Sequence, residues 1–90
     1  MAKVLEDRAN NLYFYIYSND HQPTHVHVFK GKKNDSNIME AKINIGKLGE
    51  KPKLVEAHPK MRNKDIVAAL KIVAINQEML LTEWQKIHGK

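Results

Sequence analysis

Between residues 12 and 45 the apolar side chains recur at every second position, and from residue 63 onward at every third or fourth. That change of period constrains the fold more than any other property of the chain, because alternation suits a half-buried strand and the longer repeat an amphipathic helix. Residues 12–18 read Leu-Tyr-Phe-Tyr-Ile-Tyr-Ser. In a strand, Leu12, Phe14 and Ile16 point one way, and Tyr13, Tyr15 and Tyr17 the other. Residues 25–30 (His-Val-His-Val-Phe-Lys) and 40–45 (Glu-Ala-Lys-Ile-Asn-Ile) alternate in the same manner. Residues 4–6 suit a short edge strand, and residues 53–57 either a further strand or an irregular crossing that Pro59 ends. Residues 18–24 form a loop containing Pro23, and residues 31–36 a polar turn.

The helical pattern opens at Asn63, a candidate N-cap, with Asp65 placed to suit the positive end of the helix dipole. Gly89 follows the last periodic residue, Ile87. At 100° per residue, Ile66, Ala69, Leu70, Val73, Leu80, Leu81, Trp84 and Ile87 form one apolar stripe, with Gln77 in its middle. Ala68, Ile72, Ile75 and Met79 form a second, roughly opposite stripe. Either one helix packs on the sheet with one side and on another subunit with the other, or the helix breaks near Asn76 and Gln77. No Gly or Pro marks a break, which favours one long helix and, with it, a homodimer through that helix. The fold class expected is α+β, one domain over residues 1–90. An antiparallel sheet of three to five strands (residues ~3–57) packs against a long C-terminal helix (~63–87).

A chain of 90 residues buries only about 60–65% of its unfolded surface, so a leftover apolar face favours self-association. With no cysteine, neither a disulfide framework nor a thiolate metal site is available. The first residues lack the apolar run of a secretory signal, and the most apolar stretch, residues 66–75, is interrupted by Lys71 and too short to span a bilayer. A soluble cytoplasmic protein with no membrane partner is expected. The net charge of +5 is concentrated: residues 30–64 hold ten basic and four acidic side chains, the remainder five and six. Such a bias favours polyanionic partners, although lysines also serve solubility alone.

If Val26 and Val28 face the core, the opposite sheet face carries Tyr13, Tyr15, Tyr17, His25, His27, Phe29, Glu40, Lys42 and Asn44. Faces of this makeup stack unpaired bases while lysines hold phosphates, so RNA or DNA is a candidate partner; a protein partner covering the tyrosines is the alternative. Three of the five histidines, His21, His25 and His27, fall within seven residues. His25 and His27 leave the same strand face about 6.6 Å apart. They suit a divalent ion such as zinc, with His21 or Asp20 as a third ligand. The same imidazoles, flanked by lysines, also suit acid–base cleavage of an RNA phosphodiester, with His25 and His27 catalytic. A hydrogen-bonded cluster that merely shapes the loop is the third possibility. Acyl transfer is disfavoured, since no serine or threonine has a nucleophile context. His58 belongs to a turn that could approach the cluster, His88 to a fraying helix end, and Trp84 to a core or interface anchor.

Residues 14–28, Phe-Tyr-Ile-Tyr-Ser-Asn-Asp-His-Gln-Pro-Thr-His-Val-His-Val, resemble the signature of the DUF4160 family, as do residues 40–45 and the helical run 76–84. Members often show two prolines before the middle histidine, where this chain has Pro23-Thr24. The resemblance implies a small bacterial protein in a toxin–antitoxin-like or regulatory setting, with a nucleic acid or a cognate protein as partner. It carries His21, His25 and His27 forward as functional positions and implies no established activity. The leading expectation is a binding protein using Tyr13, Tyr15, Tyr17, His21, His25, His27, Phe29 and Lys42. A small nuclease centred on the histidines and a purely structural interaction module are the alternatives.

Overall fold

The computed structural model describes residues 2–31 and 38–89 of the chain, so most of the polar turn expected at 31–36 lies outside the described residues. Five strands, β1 (Ala2–Asp7), β2 (Leu12–Ile16), β3 (His25–Lys30), β4 (Met39–Asn44) and β5 (Lys53–Ala57), precede two helices, α1 (Asn63–Ile75) and α2 (Gln77–His88). The strands form one sheet in the order β1-β2-β3-β4-β5, every pair antiparallel. Residues 53–57 are therefore a strand and not an irregular crossing. The α+β class and the antiparallel sheet are as the periodicity predicts.

Alternation decides which face meets the helices. Leu12, Phe14, Ile16, Val26, Val28, Ala41, Ile43 and Ile45 are buried, and Met61, Ala69, Val73, Leu80 and Trp84 close the core from the helical side. Phe14 lies on β2 and is fully buried; truncating such a ring to alanine costs about 3–5 kcal/mol.

The continuous helix expected over residues 63–87 is instead two helices separated at Asn76. Asn76 leaves helical geometry (φ −105°, ψ 20°), and its side-chain amide donates to the Ile72 carbonyl at 2.9 Å. Asparagine competes for backbone groups in this way, so the break needs neither Gly nor Pro. Gln77 then turns inward and its amide bonds to the loop after β4. The break also accounts for most of the second apolar stripe. Ala68, Ile72 and Met79 reach the margin of the same core, and Ile75 alone stays open, at 82% exposure. At the other end of α1, Asn63 is the first helical residue and not its cap; Arg62 occupies the cap without a side-chain bond. Asp65 is buried and paired with Lys30 of β3 at 3.3 Å. No helix among the described residues is long and apolar enough to cross a membrane.

Candidate metal centre

The register places the outward side chains in rungs. Tyr15 lies between Lys3 and His27, and His27 between Tyr15 and Lys42, which faces Glu56; Tyr13 lies between Glu6 and Phe29, and Phe29 between Tyr13 and Glu40. This face differs from the open, basic aromatic platform expected of it. Phe29 is only 6% exposed, Tyr15 meets its ring edge-on at 5.4 Å, and Tyr17 stacks on His27 at 4.4 Å. Lys3, Lys42 and Lys53 alternate there with Glu6, Glu40 and Glu56, and Lys3 and Glu6 bond at 2.7 Å. Packed rings and acids interleaved with the lysines make this face less exposed and less basic than the alternation predicts.

The loop from residue 17 to 24 is built by short-range bonds that aim Asp20 at β3. The Asp20 N–H donates to the Tyr17 carbonyl at 3.1 Å, and Asp20 Oδ2 accepts the Tyr17 N–H at 3.0 Å. The Gln22–Pro23 peptide is cis, and the Pro23 carbonyl lies 2.8 Å from His25 Nδ1. From the far end of the chain, His88 stacks on Trp84 at 3.9 Å and places Nε2 3.1 Å from the Asp20 carbonyl. Trp84 in turn lies against His25, with ring centroids 5.3 Å apart. The helix end expected to fray is thus docked on the loop.

Asp20, His25 and His27 converge. Asp20 Oδ1 lies 3.4 Å from His25 Nε2 and 3.2 Å from His27 Nε2, and one ligand atom from each residue falls within 4.8 Å of the other two. The outer nitrogens are already committed, His25 Nδ1 to the Pro23 carbonyl and His27 Nδ1 to Glu40 Oε2 at 2.8 Å. A carbonyl and a carboxylate only accept, so each outer nitrogen donates its N–H. In the neutral imidazoles both Nε2 lone pairs then face the same carboxylate oxygen. Three acceptors turned on one point require a cation among them, either added protons or a metal ion.

The separations suit either: His27 Nε2 lies at hydrogen-bond distance from Asp20 Oδ1, and a metal would fit the same spacing. Bonds of about 2.0–2.1 Å in tetrahedral or octahedral geometry put neighbouring ligand atoms about 3.0–3.4 Å apart, which matches the two separations from Asp20. Histidine ligands characteristically give their other N–H to a carboxylate or a carbonyl, as both rings do here. With side-chain exposures of 4% for His25, 12% for Asp20 and 13% for His27, the centre sits just beneath the surface. Burial is the largest influence on Asp20 and opposes its ionisation. The Tyr17 N–H and the hydrogen bond and charge of His27, with a smaller contribution from His25, outweigh it and hold the carboxyl below its ordinary value.

Of the residues singled out from the sequence, His25 and His27 come together with Asp20, and their rings meet edge-on at 5.1 Å. His21 is exposed and outside the cluster. His58 stays in its own turn, its Nδ1 accepting the Lys60 N–H at 3.1 Å. Glu40, Trp84 and His88 were not singled out with the cluster. Glu40 arrives diagonally across the β3–β4 ladder, and the other two from α2; only the antiparallel pairing of residues 25–30 with 39–44 offered a signal, and that for Glu40 alone.

Comparison with known proteins places the chain in a family. The family described as Domain of unknown function (DUF4160) matches residues 11–85, a span that includes the whole cluster. No curated protein and no solved structure matches.

Proposed function

This chain belongs to the DUF4160 family, and from that premise and the geometry of its centre we propose a divalent-metal-dependent hydrolase of phosphate esters, RNA being the substrate class. Asp20, His25 and His27 are the ligands, and the Pro23 carbonyl and Glu40 orient the two imidazoles. The convergence of three ligand atoms with both outer nitrogens already bonded is the observation that carries the reading. Three protein ligands, in place of the four of a closed structural site, leave a position for water. A bound divalent ion supplies a hydroxide-like nucleophile near neutral pH. Two nitrogens and one oxygen suit zinc, iron or manganese better than calcium. The substrate class follows from the positive charge collected between residues 30 and 64.

Cleavage of labelled single-stranded RNA by the metal-stripped protein, with and without added zinc or manganese, tests the proposal. Turnover should require the ion and be lost in His27→Gln. Full turnover in the presence of a chelator would move the chemistry to metal-free acid–base catalysis by His25 and His27. No turnover with any ion would contradict the hydrolase reading.

A further inference from the structure

The two edges of the sheet are finished differently. On β1 the charges are used within the chain, Lys3 and Arg8 both bonding Glu6, and no large apolar side chain of the strand is exposed. On β5 every residue from Lys53 to Glu56 is exposed, with Leu54 at 40% and Val55 at 46%. Four of the five large apolar side chains exposed among the described residues, Leu54, Val55, Val67 and Ile75, belong to β5 or to α1, which packs beside it. β5 pairs with β4 alone, so its other side offers unpaired backbone N–H and C=O groups, a template for a further strand.

Charge selects the strand that adds there. Lys53 lies opposite Asn44 and Glu56 opposite Lys42, both on the face away from Ala41 and Ile43, because the ladder shifts register between these rungs. Two side chains three residues apart thus share one face, which a regular strand does not allow. An edge that resists pairing carries like charges, usually lysines, that repel a second copy. Here the two charges are opposite, and neither forms an ion pair with another described residue. With a second β5 laid antiparallel about a two-fold axis beside the Leu54–Val55 peptide, Lys53 of each copy meets Glu56 of the other, and Leu54 meets Val55. The strand is complementary to itself, as a two-fold interface demands.

We infer that the chain forms a two-fold dimer in which β5 pairs with β5 of a second copy, joining the two sheets into one. The second helix stripe, expected to carry the homodimer, lies largely along the margin of its own core, so the interface moves from the helix to the sheet edge. The inference is independent of the hydrolase reading, since β5 supplies no ligand to the centre.

Sedimentation velocity of the full chain over a wide range of concentration is the test. A dimer is expected, in concentration-dependent equilibrium with the monomer. Val55→Lys should leave only monomer, since it sets two like charges beside the axis. Val55 is exposed, so the change does not threaten the fold, and circular dichroism checks this. Lys53→Glu or Glu56→Lys alone should weaken the dimer about tenfold, because symmetry doubles each lost cross-strand pair. The two together should restore it to within a few-fold of the parent. Ile75→Lys, on the exposed side of α1, should leave the dimer unchanged. A monomer at every concentration, a dimer indifferent to Val55→Lys, a double exchange that does not recover, or loss of the dimer with Ile75→Lys would overturn the inference.

Discussion

Two loops at the same end of the sheet are each fixed by polar side chains at or near the core, and they differ in whether those groups can change charge. In the loop at 46–50, Gln77 gives its donors to two carbonyls and its acceptor to one N–H, so every bond runs from donor to acceptor. In the cluster formed by the 17–24 loop and β3, both imidazoles turn Nε2 toward one carboxylate oxygen after their other nitrogens have been used. An amide network has a fixed set of donors and acceptors, whereas imidazoles and a carboxylate can exchange protons for a metal ion. The first loop is scaffold, and the second is the proposed site.

The largest test of this contrast is Gln77→Leu. It removes partners from the Gly49 N–H and the Ile45 and Glu50 carbonyls, and should destabilise the protein by about 2–3 kcal/mol in urea unfolding. Metal affinity should be untouched; a parallel loss of metal binding would merge the two regions that the comparison separates. His88→Ala comes next. It frees the Asp20 carbonyl from the end of α2 without removing a ligand, so calorimetry should show metal affinity about tenfold lower. An unchanged affinity would make His88 mere packing. Gly46→Ala, at φ +81°, should cost about 1 kcal/mol or more through backbone strain, again read by unfolding with metal affinity unchanged.

The smallest expected change in stability is also the most discriminating. In the metal-free protein Asp20→Asn keeps an oxygen for the Tyr17 N–H and offers an amide N–H to the imidazole lone pairs. Stability should fall slightly, by about 0.5–1 kcal/mol, because the amide forgoes the charge interaction that holds the Asp20 carboxyl below its ordinary value. A loss of 2 kcal/mol or more would mean that the contact with His27 carries much of the loop's stability even without a metal.

The scaffold was more legible in the sequence than the site. Alternation at 12–16, 25–30 and 40–44 was enough to place the strands, because a one-residue slip would expose Phe14, Val28 and Ile43 together. The helix break was hidden, since Asn76 and Gln77 are not helix breakers by composition. Its only trace was Gln77 in the middle of an apolar stripe, a polar residue whose loop partners lie roughly 30 residues earlier in the chain. The spacing of His25 and His27 showed their shared face, and the loop position of Asp20 made it a possible ligand. Exposure of His21 and burial of Phe29 were not readable, because both depend on how the 17–24 loop folds back. Glu40, Trp84 and His88 reach the cluster through a ladder and a helix that a single strand's pattern does not describe.

The central claim, that Asp20, His25 and His27 form one metal site, is tested most directly by titrating the metal-stripped protein with zinc in a calorimeter, alongside Asp20→Asn. The account predicts one ion per chain for the parent protein, and affinity at least tenfold weaker in the variant. No stoichiometric uptake, or identical uptake by both proteins, would contradict it.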